Sequence, residues 1–254
     1  MKNYFTVILC AITIGMFFSQ PALAGTKGKK EKKPYVWEMP KLTGNQEFDD
    51  YLRKCDTLNT KIRSYCDAIT FYQVRPISIT ENGKEIDREW CMVDTVTNTL
   101  RSSNMAFAQN MDLILAYPAI AIEMASMGVY TAAATAALPS LGLKSLSYGK
   151  YLKAGPNIIA AGGKEMKKIY KTARAQAKQI KDLKAGKIDD DYARNAEVEL
   201  NANTIDAGDA SMNVLISSKP IQMEKSVYEK QMGEIKKQDA AHPISNDDIP
   251  EEVE

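Results

Sequence analysis

The chain has 254 residues, of which 26% are charged and 44% hydrophobic, and its formal net charge is +1. These values are ordinary for a globular protein and give no reason to expect nucleic acid as a partner. The single histidine, His242, stands in a polar C-terminal stretch. This excludes a Ser-His-Asp triad, a Cys-His pair and a metal site built from several histidines.

Residues 1–24 have the three parts of a cleavable secretory signal peptide. Lys2 is followed by an apolar run from Phe5 to Phe18, and small residues occupy positions 22 and 24. The apolar run has 14 residues, whereas a helix needs ~20 to span a bilayer. Removal of this segment takes away Lys2 and no acidic residue, and leaves 32 basic and 32 acidic side chains. We therefore expect an exported protein, either periplasmic or secreted.

Residues 25–41 predict a basic arm rich in proline, because five lysines surround a single acidic residue and precede Pro34 and Pro40. The favoured interpretation is a solvated arm. The alternative is peripheral contact between this arm, with its Tyr35 and Trp37, and an anionic membrane surface.

Two segments of similar length carry apolar residues at alternating steps of three and four. The first runs from Phe48 to Tyr72, with Asn45 as its predicted N-cap, and the second runs from Val93 to Tyr117 and ends before Pro118. Between them, β-branched residues around Asn82-Gly83 predict a small β-hairpin near residues 76–88. The predicted fold is mainly α: an antiparallel bundle of long helices, with coiled-coil-like αα-hairpins and this β-hairpin as an insertion.

Residues 113–143 contain one charged residue, Glu123, and their small residues recur at helical spacing. The stripe consists of Ala121, Ala125, Gly128, Ala132 and Ala136. We expect this stripe to pack against another helix in the protein core, because small residues let helices approach closely. The alternative is insertion of the segment into a membrane, which the central Glu123 disfavours.

A further helix is predicted from Ile159 to Leu183, with Gly186 just beyond its end. Its basic face is a candidate interaction surface, formed by Lys164, Lys167, Lys168, Lys171, Arg174 and Lys178. The acidic stretch 189–209 follows, and the simplest expectation is that it folds back and pairs with this basic face. A shorter helix is predicted over 221–237, so the bundle domain covers residues 42–238 and an acidic, disordered tail covers 239–254.

Three cysteines follow the predicted signal peptide, and export makes a disulfide plausible for them. Cys55 and Cys66 are eleven residues apart on one predicted helix, which separates them by ~16 Å at 1.5 Å per residue. A disulfide therefore requires Cys91, and we expect Cys66 to be its partner.

Motifs for catalysis are weak throughout the sequence. Gly162-Gly163-Lys164 lacks the earlier glycine and the following Ser/Thr of a phosphate-binding loop, so Gly162 is better explained by close helix packing. Ser147 and Lys150 match a four-residue pattern that arises often by chance. We predict no enzyme, cofactor or metal site, with a carboxylate-dependent enzyme as a remote alternative.

The number of long apolar faces indicates how the protein acts. Four such faces exceed what one helical hairpin can cover, so self-association or a protein partner is expected. The sequence thus predicts a structural or scaffolding protein of the cell envelope that acts through helix–helix contacts. A membrane-active protein that inserts residues 113–143 is the alternative.

Overall fold

The computed structural model describes residues 35–70, 72–94, 96–196 and 216–243. These residues are mainly helical, with a small three-stranded sheet. The main elements in chain order are α1 (Gln46–Asp67), β1 (Tyr72–Glu81), β2 (Lys84–Asp94), α2 (Ser103–Ala137), α3 (Ala154–Lys184), β3 (Ile221–Glu224) and α4 (Lys225–Ala241). The predicted signal peptide and residues 25–34 of the predicted arm lie outside the described residues.

Helix α1 begins as predicted, because the Asn45 side chain accepts a hydrogen bond from the Phe48 N–H at 3.0 Å. Its apolar face from Phe48 to Tyr65 is buried against α2 and α3. The helix ends at Asp67, and Tyr72, which was predicted to close it, instead begins β1 opposite Asp94. The last residue of the predicted helix, Tyr72, is therefore part of a strand.

The arm ends against this helical core. Trp37 is buried and its indole N–H donates to Asp56 Oδ1 at 3.0 Å. Tyr35 packs partly buried on the same cluster. Tyr35 and Trp37 of the predicted arm therefore pack on the protein, while Val36, Glu38, Met39 and Lys41 are exposed to solvent.

Asn82 and Gly83 form the predicted hairpin turn, with φ values of 53° and 75°, which both fit a type I′ turn. The hairpin is longer than residues 76–88, since its strands extend from Tyr72 to Asp94. The prediction of a helix that starts at Val93 is wrong, because Val93 lies in β2 and pairs with Gln73. The apolar residues at the end of β2 happen to continue the three-and-four spacing of the following helix, which explains the wrong start.

The hairpin is completed by a third strand from far along the chain. β3 pairs in parallel with β1, so the strand order is β2-β1-β3. The helix predicted over 221–237 is therefore a strand followed by α4, whose Tyr228 and Ile235 pack on Ile77 and Ile79. Since α4 extends to Ala241, the predicted tail begins later than residue 239, and residues 244–254 lie outside the described residues.

Helix α2 continues through Pro118 to Ala137, so the predicted end before this proline is wrong. A proline removes one main-chain hydrogen bond from a helix. Pro118 lies on the exposed side of α2, where water can bond the carbonyl that loses its partner. The Ser102 side chain caps the start of α2 by accepting from the Met105 N–H at 3.0 Å.

Helix α3 follows a connector of short helical turns, residues 138–153, in which Gly142 has φ 57°. Gly186 ends α3 as predicted: it has φ 66°, and its N–H donates to the Leu183 carbonyl at 3.0 Å. The close packing predicted at Gly162 is confirmed, because an added Cβ would overlap the Cγ2 methyl of Ile62 on α1.

Contacts between α2 and α3 join opposite ends of the two helices. The Lys184 amine, near the end of α3, donates to the side chain of Asn104, near the start of α2. Tyr117 stacks on Tyr170 with ring centres 4.4 Å apart. A second buried cluster joins the two helices to the sheet, and it includes Phe107, Met111 and Ile180.

Candidate functional site

The apolar part of α2 is mostly exposed, contrary to the prediction that its small-residue stripe packs in the core. An added Cβ at Gly128 would meet nothing within 4 Å. The core is contacted instead by another face of α2, which carries Ile120, Met127 and Ala134. The larger residues Met127 and Ile120 fill the space next to α1 and α3, so the small residues face away from the core.

A second heptad pattern runs along the exposed side of α2. Its large residues Leu115, Ile122 and Val129 are seven positions apart and are 64%, 71% and 73% exposed. Small residues fill the positions between them at steps of four and three. We call this set the outer seam: Leu115, Ala119, Ile122, Ser126, Val129, Ala133 and Ala136. The sequence already contains this spacing, which the core-facing pattern obscured.

Glu123 is the only charged residue between positions 113 and 143, and α1 neutralises it. Its carboxylate contacts the amines of Lys61 and, at 3.4 Å, Lys54. The hydrogen bond from Lys61, together with Lys54, lowers the pKa of Glu123 in spite of partial burial. The outer seam therefore presents no unpaired charge.

Exposed leucines continue the apolar surface at the end of α2. Leu143 and Leu146 in the connector are almost fully exposed. The helical run 103–184 contains an 18-residue window with a mean hydropathy of 1.5, of which 17% is buried. By length and composition this is the one described helix that qualifies as a membrane span, a test that core helices of soluble proteins also pass.

The basic residues predicted as an interaction surface lie together on α3. Lys164, Lys167, Lys171, Arg174 and Lys178 are all exposed. None of these five forms an ion pair with a residue in the described ranges. Lys168 is half-buried and has an interaction of its own.

Part of this basic surface borders a cleft of about 480 Å³. The cleft is lined by Tyr117, Lys167, Tyr170, Lys171 and Arg174. The guanidinium carbon of Arg174 lies 5.9 Å from the centre of the Tyr170 ring, whose other neighbour is Tyr117. Sequence reasoning identified the cations but missed the tyrosine on α2, because only the fold brings position 117 beside position 170.

The internal pairing expected for the basic face is not found among the described acidic residues that follow α3. Asp190 bonds Arg88 of β2 at 3.1 Å, and Asp191 bonds Arg194 within its own segment. Asp189 accepts from the Tyr192 N–H at 2.7 Å. Positions 197–209 of the predicted acidic partner lie outside the described residues.

The three cysteines in the described part of the chain are free thiols, and the fold keeps them apart. Cys66 lies on α1 in the helical core, while Cys91 lies on β2 in the cluster under α4, so the predicted pair is not brought together. Burial raises the pKa of Cys91 to about 11 and that of Cys66 to about 12. Neutral thiols of this kind are poor nucleophiles.

No group of three His, Cys, Asp or Glu side chains that could hold a metal ion occurs within the described part of the chain. His242 lies at the C-terminal end of α4, where its N–H donates to the carbonyls of Gln238 and Asp239. No protein-family model, no curated protein and no solved structure matches the chain.

Proposed function

We propose that the protein is an exported structural protein of the cell envelope that acts through helix–helix contacts, with the outer seam as its docking surface. The observation that carries this proposal is the exposure of Leu115, Ile122 and Val129 on a face without charge. Contiguous exposed apolar surfaces on soluble proteins commonly mark interaction sites. Export rests on the signal-peptide pattern of residues 1–24.

We further propose that α1, α2 and α3 form an antiparallel bundle that holds the outer seam rigid. Support comes from contacts whose residue numbers rise in α2 as they fall in α3. These contacts pair Asn104 with Lys184, Tyr117 with Tyr170, and Met124 with Gly163. Along α1, Lys54 and Lys61 contact Glu123 in the middle of α2.

The proposed occupant of the outer seam is the same seam of a second copy. Over 22 residues the seam is about 33 Å long at 1.5 Å per residue. In an antiparallel register centred at position 124, each large residue of one copy meets a small residue of the other, and Ala136 faces Asp112 just before the seam. The paired positions are Leu115 with Ala133, Ala119 with Val129, and Ile122 with Ser126. Such a contact is self-complementary, as a two-fold dimer requires.

Sedimentation equilibrium of the purified protein tests this proposal. We expect a dimer whose dissociation constant increases at least tenfold in Ile122→Lys, because a lysine on the seam must bury its charge. Thr60→Lys is the matched control, since Thr60 is an exposed residue of α1 outside the seam, and it should remain dimeric. A protein that is monomeric at all concentrations would overturn the second-copy assignment.

Cysteine cross-linking tests the register. The double variant Ile122→Cys/Ser126→Cys should give a disulfide-linked dimer under mild oxidation, because each new cysteine faces the other across the interface. The displaced variant Ile122→Cys/Ala133→Cys should cross-link poorly. Equal cross-linking of both variants would contradict the register.

Membrane insertion of α2 is the second candidate, and the mean hydropathy of its exposed window favours it. Helix α1 disfavours it, because the charged Lys54 and Lys61 contact the middle of the apolar segment. Flotation with phosphatidylcholine vesicles in high salt separates the two candidates. Quantitative recovery of the protein with the lipid would contradict the dimer proposal and support a membrane-active function.

A further inference from the structure

We propose that the cleft lined by Tyr117, Lys167, Tyr170, Lys171 and Arg174 binds a phosphate group carried by a small polar molecule or a lipid headgroup. This inference is independent of what covers the outer seam. It follows from the charge, the aromatic contacts and the size of the cleft.

The cleft concentrates positive charge that nothing described compensates. Lys167, Lys171 and Arg174 lie one helical turn apart on α3, and none of them has a carboxylate partner among the described residues. Three unpaired cations around one concave surface attract an anion. Phosphate carries close to two negative charges at neutral pH and can accept from a guanidinium and from amines together.

The arrangement of the rings favours an anion over a flat aromatic ligand. Tyr170 has Tyr117 stacked on it at 4.4 Å, and the Arg174 guanidinium carbon lies 5.9 Å from its ring centre. With both neighbours in place, Tyr170 offers little free surface on which a base could stack. The aromatic contact instead restrains the Arg174 side chain, so less conformational entropy is lost when it binds an anion.

The size of the cleft indicates that phosphate is part of a larger ligand. A volume of about 480 Å³ falls within the range of small-molecule sites, ~300–1,000 Å³. The expected ligand is therefore a phosphate group that carries polar substituents. A soluble phosphorylated molecule and a lipid headgroup both satisfy it, and the two sources can be separated by experiment.

Calorimetric titration of the purified protein with inorganic phosphate at constant ionic strength tests the anion site. We expect saturable binding that weakens at least tenfold in Arg174→Gln and in Lys171→Gln. Lys178→Gln is the matched control, because Lys178 lies on the same basic face but does not line the cleft, and its affinity should stay within twofold of the original. Circular dichroism confirms that each variant is folded.

Two vesicle preparations distinguish the sources. Phosphatidylcholine vesicles with phosphatidic acid present a phosphomonoester, and vesicles with phosphatidylglycerol at equal surface charge present only a diester. Binding to the first that Arg174→Gln abolishes assigns a lipid headgroup, and phosphate binding without vesicle binding assigns a soluble ligand. Absence of phosphate binding, or equal losses in Arg174→Gln and Lys178→Gln, would overturn the proposal.

Discussion

Alanine substitutions at Gly162 and Gly128 should change the stability of the protein in opposite directions. Both glycines lie inside long helices, where alanine is favoured over glycine by up to ~1 kcal/mol. At Gly128 a methyl group meets nothing within 4 Å, so Gly128→Ala should increase the free energy of unfolding by about this amount. At Gly162 the methyl group would overlap Ile62 Cγ2 and lie 3.5 Å from its Cβ and Cδ1.

Overlap of this kind costs ~1–3 kcal/mol when a packed core must shift to relieve it. After subtraction of a helix-propensity gain of up to ~1 kcal/mol, Gly162→Ala should lower the free energy of unfolding by up to about 2 kcal/mol. Urea unfolding followed by circular dichroism measures both changes, provided that the m-value stays constant. The helix-propensity gain is common to both variants, so the expected difference between them is the cost of the overlap, about 1–3 kcal/mol.

The Ile62→Leu background checks the cause. Leucine has no methyl branch at Cβ, so it should accommodate the new alanine at position 162. We expect Gly162→Ala to be at least ~1 kcal/mol less damaging in Ile62→Leu than in the original protein, as a coupling energy between contacting residues. If Gly162→Ala is as stable as Gly128→Ala, α1 and α3 do not approach here as described.

Three further predictions concern single polar groups. Gln176 is buried with both amide atoms unpaired, so Gln176→Met should raise the free energy of unfolding by about 1–3 kcal/mol in thermal or urea unfolding, and the half-buried control Gln179→Met should not. Burial alone would raise the pKa of Asp94, but hydrogen bonds from Thr97, Val96 and Arg101 lower it to about 2. The stabilisation by Asp94 should therefore be complete above pH ~4 and be lost as the pH falls towards 2, so unfolding curves of Asp94→Asn and the original protein should converge there. Trp37→Phe removes the hydrogen-bond donor to Asp56 and should lower the free energy of unfolding by ~1 kcal/mol. An unchanged free energy of unfolding would show that Trp37 does not contact the core as described.

Local signals in the sequence were the reliable ones. Asn45 marked the start of α1, Asn82-Gly83 marked the turn and Gly186 followed the end of α3, because each acts through the conformation of a few neighbouring residues. The boundary between β2 and α2 could not be read in the same way. Val93 and Leu100 are both buried, and burial alone fits a strand or a helix. The pairing of Val93 with Gln73 of β1 is what places it in a strand.

The candidate site was predictable only in part, for the same physical reason. The cations of α3 are visible in the sequence, but Tyr117 joins them through a contact between helices 53 positions apart. The prediction also chose the wrong face of α2 as the one that packs in the core. Two heptad patterns overlap on that helix, and the bulk of Ile120 and Met127 rather than the small residues decides which one packs inward.

The parallel pairing of β3 with β1 has a consequence for synthesis. Thr80 of β1 bonds Glu224 of β3 across 144 residues of chain. At ~5–20 residues per second, a ribosome needs about 7–30 s to add that length. During this time β1 has β2 on one side only, and its other edge, with Ile77 and Ile79, stays open to pairing with any extended chain. The nascent protein therefore carries an exposed strand edge until residues 221–224 are made, and a chain cut before β3 keeps that edge permanently.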